Sequence, residues 1–325
     1  MKLSKLSKLS KLSKLSGLAA LLLSNVVLSQ SYQSFSTISY SHNSYTSNMP
    51  EYDIYGKSDT DSVALYSKYF FDEQQALGPL NEFAYINSSS NIYAAISNSN
   101  SEVSSTYRSH DSNSSSTDNS ISVGGQWITN NFIFGASYSY FKAEGKLTDS
   151  YFSDGREISY DNSSSYYGAE LGYLISDDLV ISAYYNDGGD GDDYFSYSAS
   201  YNWQLTGTDY IGFSYNVDED FDIHQLSSRY FFGLGDQSYL VLGGAYTFDN
   251  RDYIIDDDYW SVNGSYYFND RTSVSVTYSD DDYYGVSANY FINQNYSVQA
   301  GYNSVSNDSD ENESEGYYLS FSAQF

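Results

Sequence analysis

The 325-residue chain has no cysteine, only two prolines, and 14 Lys and Arg against 42 Asp and Glu. Without cysteine there can be no disulfide, no thiolate metal site and no cysteine nucleophile. So acidic a chain is not expected to bind nucleic acid. Beyond residue 30 no run of 18 apolar residues occurs, which excludes a transmembrane helix in the mature chain. What is present is aromatic: Tyr alone numbers 39, and Phe, Trp and Tyr together make 18% of the chain. That is too much for a disordered acidic polymer. Tyr, Ser, Thr, Val and Gly in alternation point to an all-β protein.

The first residues read as a targeting signal. Five copies of Lys-Leu-Ser are followed by an apolar run from Gly17 to Leu28, with small residues Val27 and Ser29 at a cleavage position. We place a signal peptide over 1–29 and the mature domain over 30–325. An amphipathic membrane-surface helix is the other reading of the repeats. Cleavage would remove five of the 14 cations and no acid, leaving nine cations, 42 acids and a formal charge of −33.

Downstream, apolar residues recur at every second position. In one segment Phe132, Phe134, Ala136, Tyr138 and Tyr140 alternate with Gly135, Ser137 and Ser139. Phe195, Tyr197, Ala199, Tyr201, Trp203 and Leu205 alternate in the same way with Ser, Asn and Gln. A soluble sandwich also alternates. Here, however, aromatics cluster at the strand ends with small or aliphatic residues between them, the pattern of an apolar band flanked by aromatic girdles. The opposite face is Ser, Asn, Gln and Gly, as a water-filled interior requires. Short turns near 129–131, 176–178, 206–209, 235–237, 269–270 and 293–295 alternate with longer or more acidic connections. Those are near 43–60, 99–117, 148–156, 187–193, 217–222, 249–257, 280–282 and 306–314. The count is about 16 strands in a transmembrane antiparallel up-and-down β-barrel. An even number suits such barrels, and ~9–11 residues per tilted strand fits the length. Residues 72–90 break the pattern. They read as a structured periplasmic connection turned at Gly78-Pro79, before a strand over 91–98.

The final strand places Tyr317, Leu319, Phe321, Ala323 and Phe325 on one face. With the signal and the hairpin pattern, it resembles the C-terminal assembly signal of Gram-negative outer-membrane porins. The stretch Phe70 to Ala95, containing ALGPLNEFAYINSSSNIY, is similar to general porins of marine gammaproteobacteria. The resemblance implies a homotrimer of 16-stranded barrels in the outer membrane, in contact with lipid and lipopolysaccharide. It also implies delivery by the barrel-assembly machinery, reading Tyr317, Leu319, Phe321 and Phe325, and passive diffusion of small hydrophilic solutes through a pore narrowed by the third loop. That loop, near Thr148 to Gly155, is short here and has no acidic cluster opposite a wall of Arg.

Alternation turns three charges inward, Lys68, Glu170 and Arg229, and charged side chains in a lumen set selectivity. Inward Tyr184, Tyr267 and Tyr318 either form a sugar-stacking track or line and narrow the barrel near its rim. Acids crowd the outer loops at 187–193, 218–220, 256–258, 280–282 and 308–315. Their field should favour cations, while also keeping the surface soluble. Gly188 to Ser196 matches one Gly-Asp calcium repeat, making Asp187, Asp190, Asp192 and Asp193 candidate Ca²⁺ ligands. Diffuse Ca²⁺ or Mg²⁺ binding across the acidic loops is the broader version, and no other cofactor is expected. The three histidines, His42, His110 and His224, assemble no catalytic set, because a triad needs a positioned third group.

Three functions remain: a cation-preferring diffusion porin, a substrate-specific channel with an aromatic slide, and a plugged structural or adhesion barrel. The Gly- and Ser-rich inner face offers no apolar set against which a plug could pack. An open lumen is therefore the leading expectation. The last strand is expected to pair with the first, near Ser31 to Tyr40, with Phe325 in the periplasmic girdle.

Overall fold

The computed structural model describes residues 31–49, 53–107, 110–149, 157–188, 193–251, 258–306 and 312–325. The signal-peptide assignment therefore falls outside the described residues, as does the tip of the third loop. Sixteen strands run in chain order: β1 (Ser31–Met49), β2 (Ile54–Gln75), β3 (Asn91–Tyr107), β4 (His110–Thr129), β5 (Phe132–Asp149), β6 (Glu157–Ser176), β7 (Leu179–Asn186) and β8 (Tyr194–Gln204). The second half comprises β9 (Tyr210–Asp218), β10 (Ile223–Gly235), β11 (Ser238–Asp249), β12 (Tyr259–Tyr267), β13 (Thr272–Ser279), β14 (Tyr283–Phe291), β15 (Tyr296–Ser306) and β16 (Asn312–Gln324). Each pairs antiparallel with the next, and β16 closes on β1 from Phe35↔Gln324 to Ser47↔Asn312. Closure removes the sheet edges that lipid would leave without hydrogen-bond partners.

The outward face is built for hydrocarbon. Trp127, Leu171, Val276 and Leu319 are each more than half exposed. Outward aromatics pair at both ends of the band. At the end with the short turns Phe132 meets Tyr173 (4.9 Å) and Tyr230 stacks on Phe232 (4.5 Å). At the other end Tyr246 meets Phe248 (4.4 Å) and Trp260 meets Tyr278 (5.7 Å). Short turns mark the periplasmic end. Two of them place both central residues at positive φ, Asn130 (49°) with Asn131 (68°) and Asp236 (51°) with Gln237 (61°), the tight geometry that matches strand twist.

The two halves of the wall differ in height. Strands β1–β6 have 17 to 22 residues, whereas β7–β16 have 8 to 13. A tilted span needs only ~9–11 residues, so the first six strands continue well past the apolar band. The outward row Ile38, Leu65, Ile96, Ile121 is apolar; four residues further out, the row is His42, Asp61, Asn100, Thr117. This corrects the expected loops at 43–60 and 99–117: residues 43–49, 54–60, 99–107 and 110–117 are strand. Small polar side chains hold the extension by bonding across strands. Ser62 meets Ser99 (2.7 Å), Asn98 donates to Asn119 (3.0 Å) and Thr117 donates to Asn100 (3.0 Å).

Candidate functional site: the lumen and its periplasmic strap

The inward face carries the serine and glycine rows expected of a wet interior. Ser122 meets Ser139 (2.8 Å) and Ser265 meets Ser275 (2.7 Å) across neighbouring strands. At the periplasmic end, however, the lumen is not empty. Residues 76–90, the one long connection on this side, turn inward as a strap. Gly78, at φ +147°, and Pro79 make the turn, with Glu82 donating its N–H to the Pro79 carbonyl (3.1 Å). The Tyr239 ring lies so close to Gly78 that an added Cβ would sit 2.5 Å from it.

The strap leaves from β2 and reaches β10, eight strands away in a ring of sixteen and so diametrically opposite. There the Glu82 carboxylate accepts from Arg229 Nη2 (2.5 Å) and from the Tyr267 hydroxyl (2.6 Å). Its side chain is 7% exposed. Leu80, fully buried, donates its N–H to the Asp270 carbonyl (2.9 Å) and accepts from Gln324 Nε2 (3.0 Å). Phe83 packs edge-on against Phe35 (5.3 Å), and the Tyr85 ring lies over Gly212 beside Tyr210. Burial there raises the Tyr85 hydroxyl above its ordinary pKa, with Arg229 acting the opposite way. Tyr210, Phe231, Val241 and Tyr267 form the buried cluster beneath, with Leu77, Tyr85 and Tyr239 packed on it.

This corrects the expectation that no inner apolar set exists. The signal lay in unbroken apolar runs, Tyr230-Phe231-Phe232 and Tyr239-Leu240-Val241-Leu242. A strand buried on both faces loses its alternation. On β10 and β11, one face meets lipid and the other meets the strap.

From Leu77 to Tyr85 the strap's contacts run to β1, β9–β12, the β12–β13 turn and β16, while its end at Ser89 and Ser90 bonds back to β2 and β4. The β2–β7 side keeps a cavity of about 290 Å³, lined by Tyr66, Lys68, Tyr93, Gln126, Glu170 and Tyr184 among others. Glu170 accepts from Gln126 Nε2 (2.6 Å) and the Ser182 hydroxyl (3.1 Å). It lies against Gly135, where an added Cβ would come within 2.8 Å of it. Lys68 lies over the Phe70 ring, 4.7 Å from its centroid. The three inward charges thus separate: Lys68 and Glu170 share the cavity, and Arg229 is bound into the strap.

The three tyrosines separate too. Tyr184 lines the cavity, Tyr267 is buried under the strap, and Tyr318 lies over Gly301, its hydroxyl accepting from Gln299 (3.1 Å). They stand on β7, β12 and β16, too far apart around the wall for one stacking track. The terminal residues face as expected. Phe325 donates its N–H to the Ser34 carbonyl (2.9 Å) and packs edge-on against Tyr296 (5.7 Å), which also stacks on Phe321. Tyr317 and Leu319 point outward and are exposed.

At the outer rim the described acids hold strand ends. Asp218 accepts the N–H groups of Asp222 and Ile223, Glu219 that of Phe195, and Asp280 that of Trp260. Asp258 and Asp282 accept the hydroxyls of Tyr246 and Tyr278. Of the candidate Ca²⁺ ligands, Asp190 and Asp192 lie outside the described residues, and Asp193 accepts the Tyr185 hydroxyl while the Asp187 N–H donates to Tyr167. Among the described residues no cluster of three or more His, Asp or Glu is placed to hold a metal. His42 bonds Asp61 and His224 bonds the Tyr215 hydroxyl, both on the outward face.

A closed barrel of sixteen strands, apolar outside between aromatic girdles and polar inside, defines an outer-membrane channel-type barrel. Two solved structures show its likeness. The toluene transporter TbuX of Ralstonia pickettii is 11% identical over 90% of each chain with a TM-score of 0.50, and the outer membrane protein Omp33 of Acinetobacter baumannii is 14% identical, covering 91% of this chain and 99% of its own, at 0.44. Among curated proteins no sequence matches the chain. Residues 14–325 match the family model described as "Putative general bacterial porin", and the chain belongs to that family. It is a porin-family barrel of the Gram-negative outer membrane.

Proposed function

We propose that the protein passes small hydrophilic solutes and ions by diffusion, prefers cations, and is narrowed at its periplasmic end by the strap. The observation behind the preference is the rim of the short wall. Its acids Asp218, Glu219, Asp258, Asp280 and Asp282 accept hydrogen bonds from N–H and hydroxyl donors that carry no positive charge. Arg251, paired with Asp249, is the described cation there. At the outer end of the tall wall the described cations, Lys57, Lys142 and Lys146, sit on the outward face, each beside an acid, while Lys68 faces the lumen further down. A mouth of one sign concentrates counter-ions and favours their entry. Planar-bilayer recording under a KCl gradient tests this: the reversal potential should have the cation-selective sign and weaken as salt screens the rim. An anion-selective potential would sink it.

The strap supports a second reading, a channel selective among small solutes. A connection that crosses the opening and is bonded to the far wall leaves solutes the β2–β7 side. We further propose trimeric assembly, contact of the tall wall with lipopolysaccharide, diffuse Ca²⁺ or Mg²⁺ binding at the outer acids, and recognition of the Tyr317–Phe325 face by the assembly machinery.

A further inference from the structure

Resting on the selective-channel reading, we propose that the cavity between Lys68 and Glu170 is a binding station for short zwitterionic peptides, their carboxylate at Lys68 and their ammonium at Glu170.

Both charges are uncompensated. Lys68 touches an aromatic face, and among the described residues no carboxylate is paired with it. The donors to Glu170 are an amide and a hydroxyl, both neutral. A lone cation and a lone anion lining one cavity recognise a ligand that carries both signs. The register then sets its length. Lys68 stands on β2 and Glu170 on β6, joined through Tyr93, Gly124 and Gln126, Gly135 on the strands between. Four strand spacings of ~4.8 Å separate their backbones by roughly 19 Å. Glu170 leans over Gly135 to Gln126, toward β2, and Lys68 rests over Phe70 on its own strand; the two side chains extended toward each other would close about half of that. An amino acid, with both charges on one carbon, is too short to touch both. An extended tripeptide spans ~10 Å at ~3.3–3.6 Å per residue and fits the gap. Between the charges stand the Tyr93 hydroxyl and Gln126, whose amide also bonds Glu170 and Asn91, and beyond Glu170 the Tyr184 hydroxyl and the Asn186 amide complete the polar lining. Tyr66 and Tyr93, stacked at 6.3 Å, offer ring surface to a side chain. Gly124 lets the Tyr93 ring lie flat, since a Cβ there would sit 2.7 Å from its hydroxyl. The strap deepens the case, because solutes kept off the opposite side must pass this cavity.

Triglycine is the probe, measured by calorimetry on the folded, detergent-solubilised protein. The comparison set is N-acetyl-triglycine, triglycinamide and glycine. Triglycine should bind at least tenfold more tightly than each of the three. Lys68→Gln and Glu170→Gln should each weaken triglycine at least tenfold. Lys68→Gln should leave triglycinamide unchanged, and Glu170→Gln should leave N-acetyl-triglycine unchanged. Absence of triglycine binding, equal affinity for the end-blocked peptides, or glycine binding as tightly as triglycine would each overturn the proposal. If a variant fails to fold, the peptide series on the wild-type protein still decides. Bilayer conductance in KCl is recorded separately: a silent membrane would refute the diffusion channel while leaving the binding result to stand on its own.

Discussion

Two pairs of opposite charges face the lumen of this barrel, and they have opposite fates. Arg229 and Glu82 meet at 2.5 Å where the strap docks on the far wall, Glu82 buried and Arg229 partly exposed, with Tyr267 as a third partner. Lys68 and Glu170 line one cavity without touching. The residue types are nearly the same, so composition cannot explain the difference. The backbone explains it: Glu82 arrives on a connection that crosses the barrel, whereas Lys68 and Glu170 are fixed on strands four apart. One pair is a clasp, and the other is left for a ligand.

The comparison predicts unequal responses. Replacing residues 77–86 with a short Gly-Ser linker removes the clasp and its covering of Phe231 and Val241. Single-channel conductance should at least double, while the barrel keeps its heat-dependent electrophoretic shift. Unchanged conductance would mean that the strap lies outside the ion path. Glu82→Ala is milder. Removing Glu82 leaves Arg229 without its partner; because Arg229 is partly exposed the cost falls below the ~3–5 kcal/mol of a fully buried pair, but the strap should still detach part of the time. The readouts are two interconverting current levels and faster proteolysis near residue 80. Lys68→Ala, by contrast, removes a charge that rests on Phe70 and makes no ion pair with the strap, and should change strap proteolysis by less than twofold. Similar losses from both variants would erase the distinction between the two pairs.

The barrel was legible in the sequence because its evidence is repeated sixteen times. Alternation, short turns and the terminal Tyr317-to-Phe325 face each point to a closed sheet. The upper reaches of β1–β4 were not, since Ser and Asn occupy both faces there and leave no period to read. Pairing of Ser62 with Ser99 is visible only in register. The structured connection and its Gly78-Pro79 turn were legible, but its docking inside the barrel escaped for the reverse reason: Tyr230-Phe231-Phe232 is apolar on both faces, and a period-two reading assigns one face to lipid and ignores the other. That Lys68, Glu170 and Arg229 point inward followed from parity. Which of them meet depends on the register of four hairpins and on the path of residues 76–90, and neither is encoded in local pattern.

The finest test of the clasp is Tyr267→Phe. The substitution keeps the ring within the cluster of Tyr210, Phe231 and Val241 and deletes only the hydroxyl that donates to Glu82 at 2.6 Å. A hydrogen bond to a charged group contributes ~1.5–3 kcal/mol, less than the loss of the carboxylate, so strap proteolysis should speed up by less than in Glu82→Ala. The pairing itself is tested by combining them. Once Glu82 is Ala, the Tyr267 hydroxyl has lost its acceptor, and the second substitution should add almost nothing; a coupling near zero in the double-mutant cycle would mean that the two residues act separately. Strong coupling between Glu82 and Tyr267, set beside none between Glu82 and Lys68, would locate the clasp on the β10–β12 side and leave the opposite charges free for a ligand.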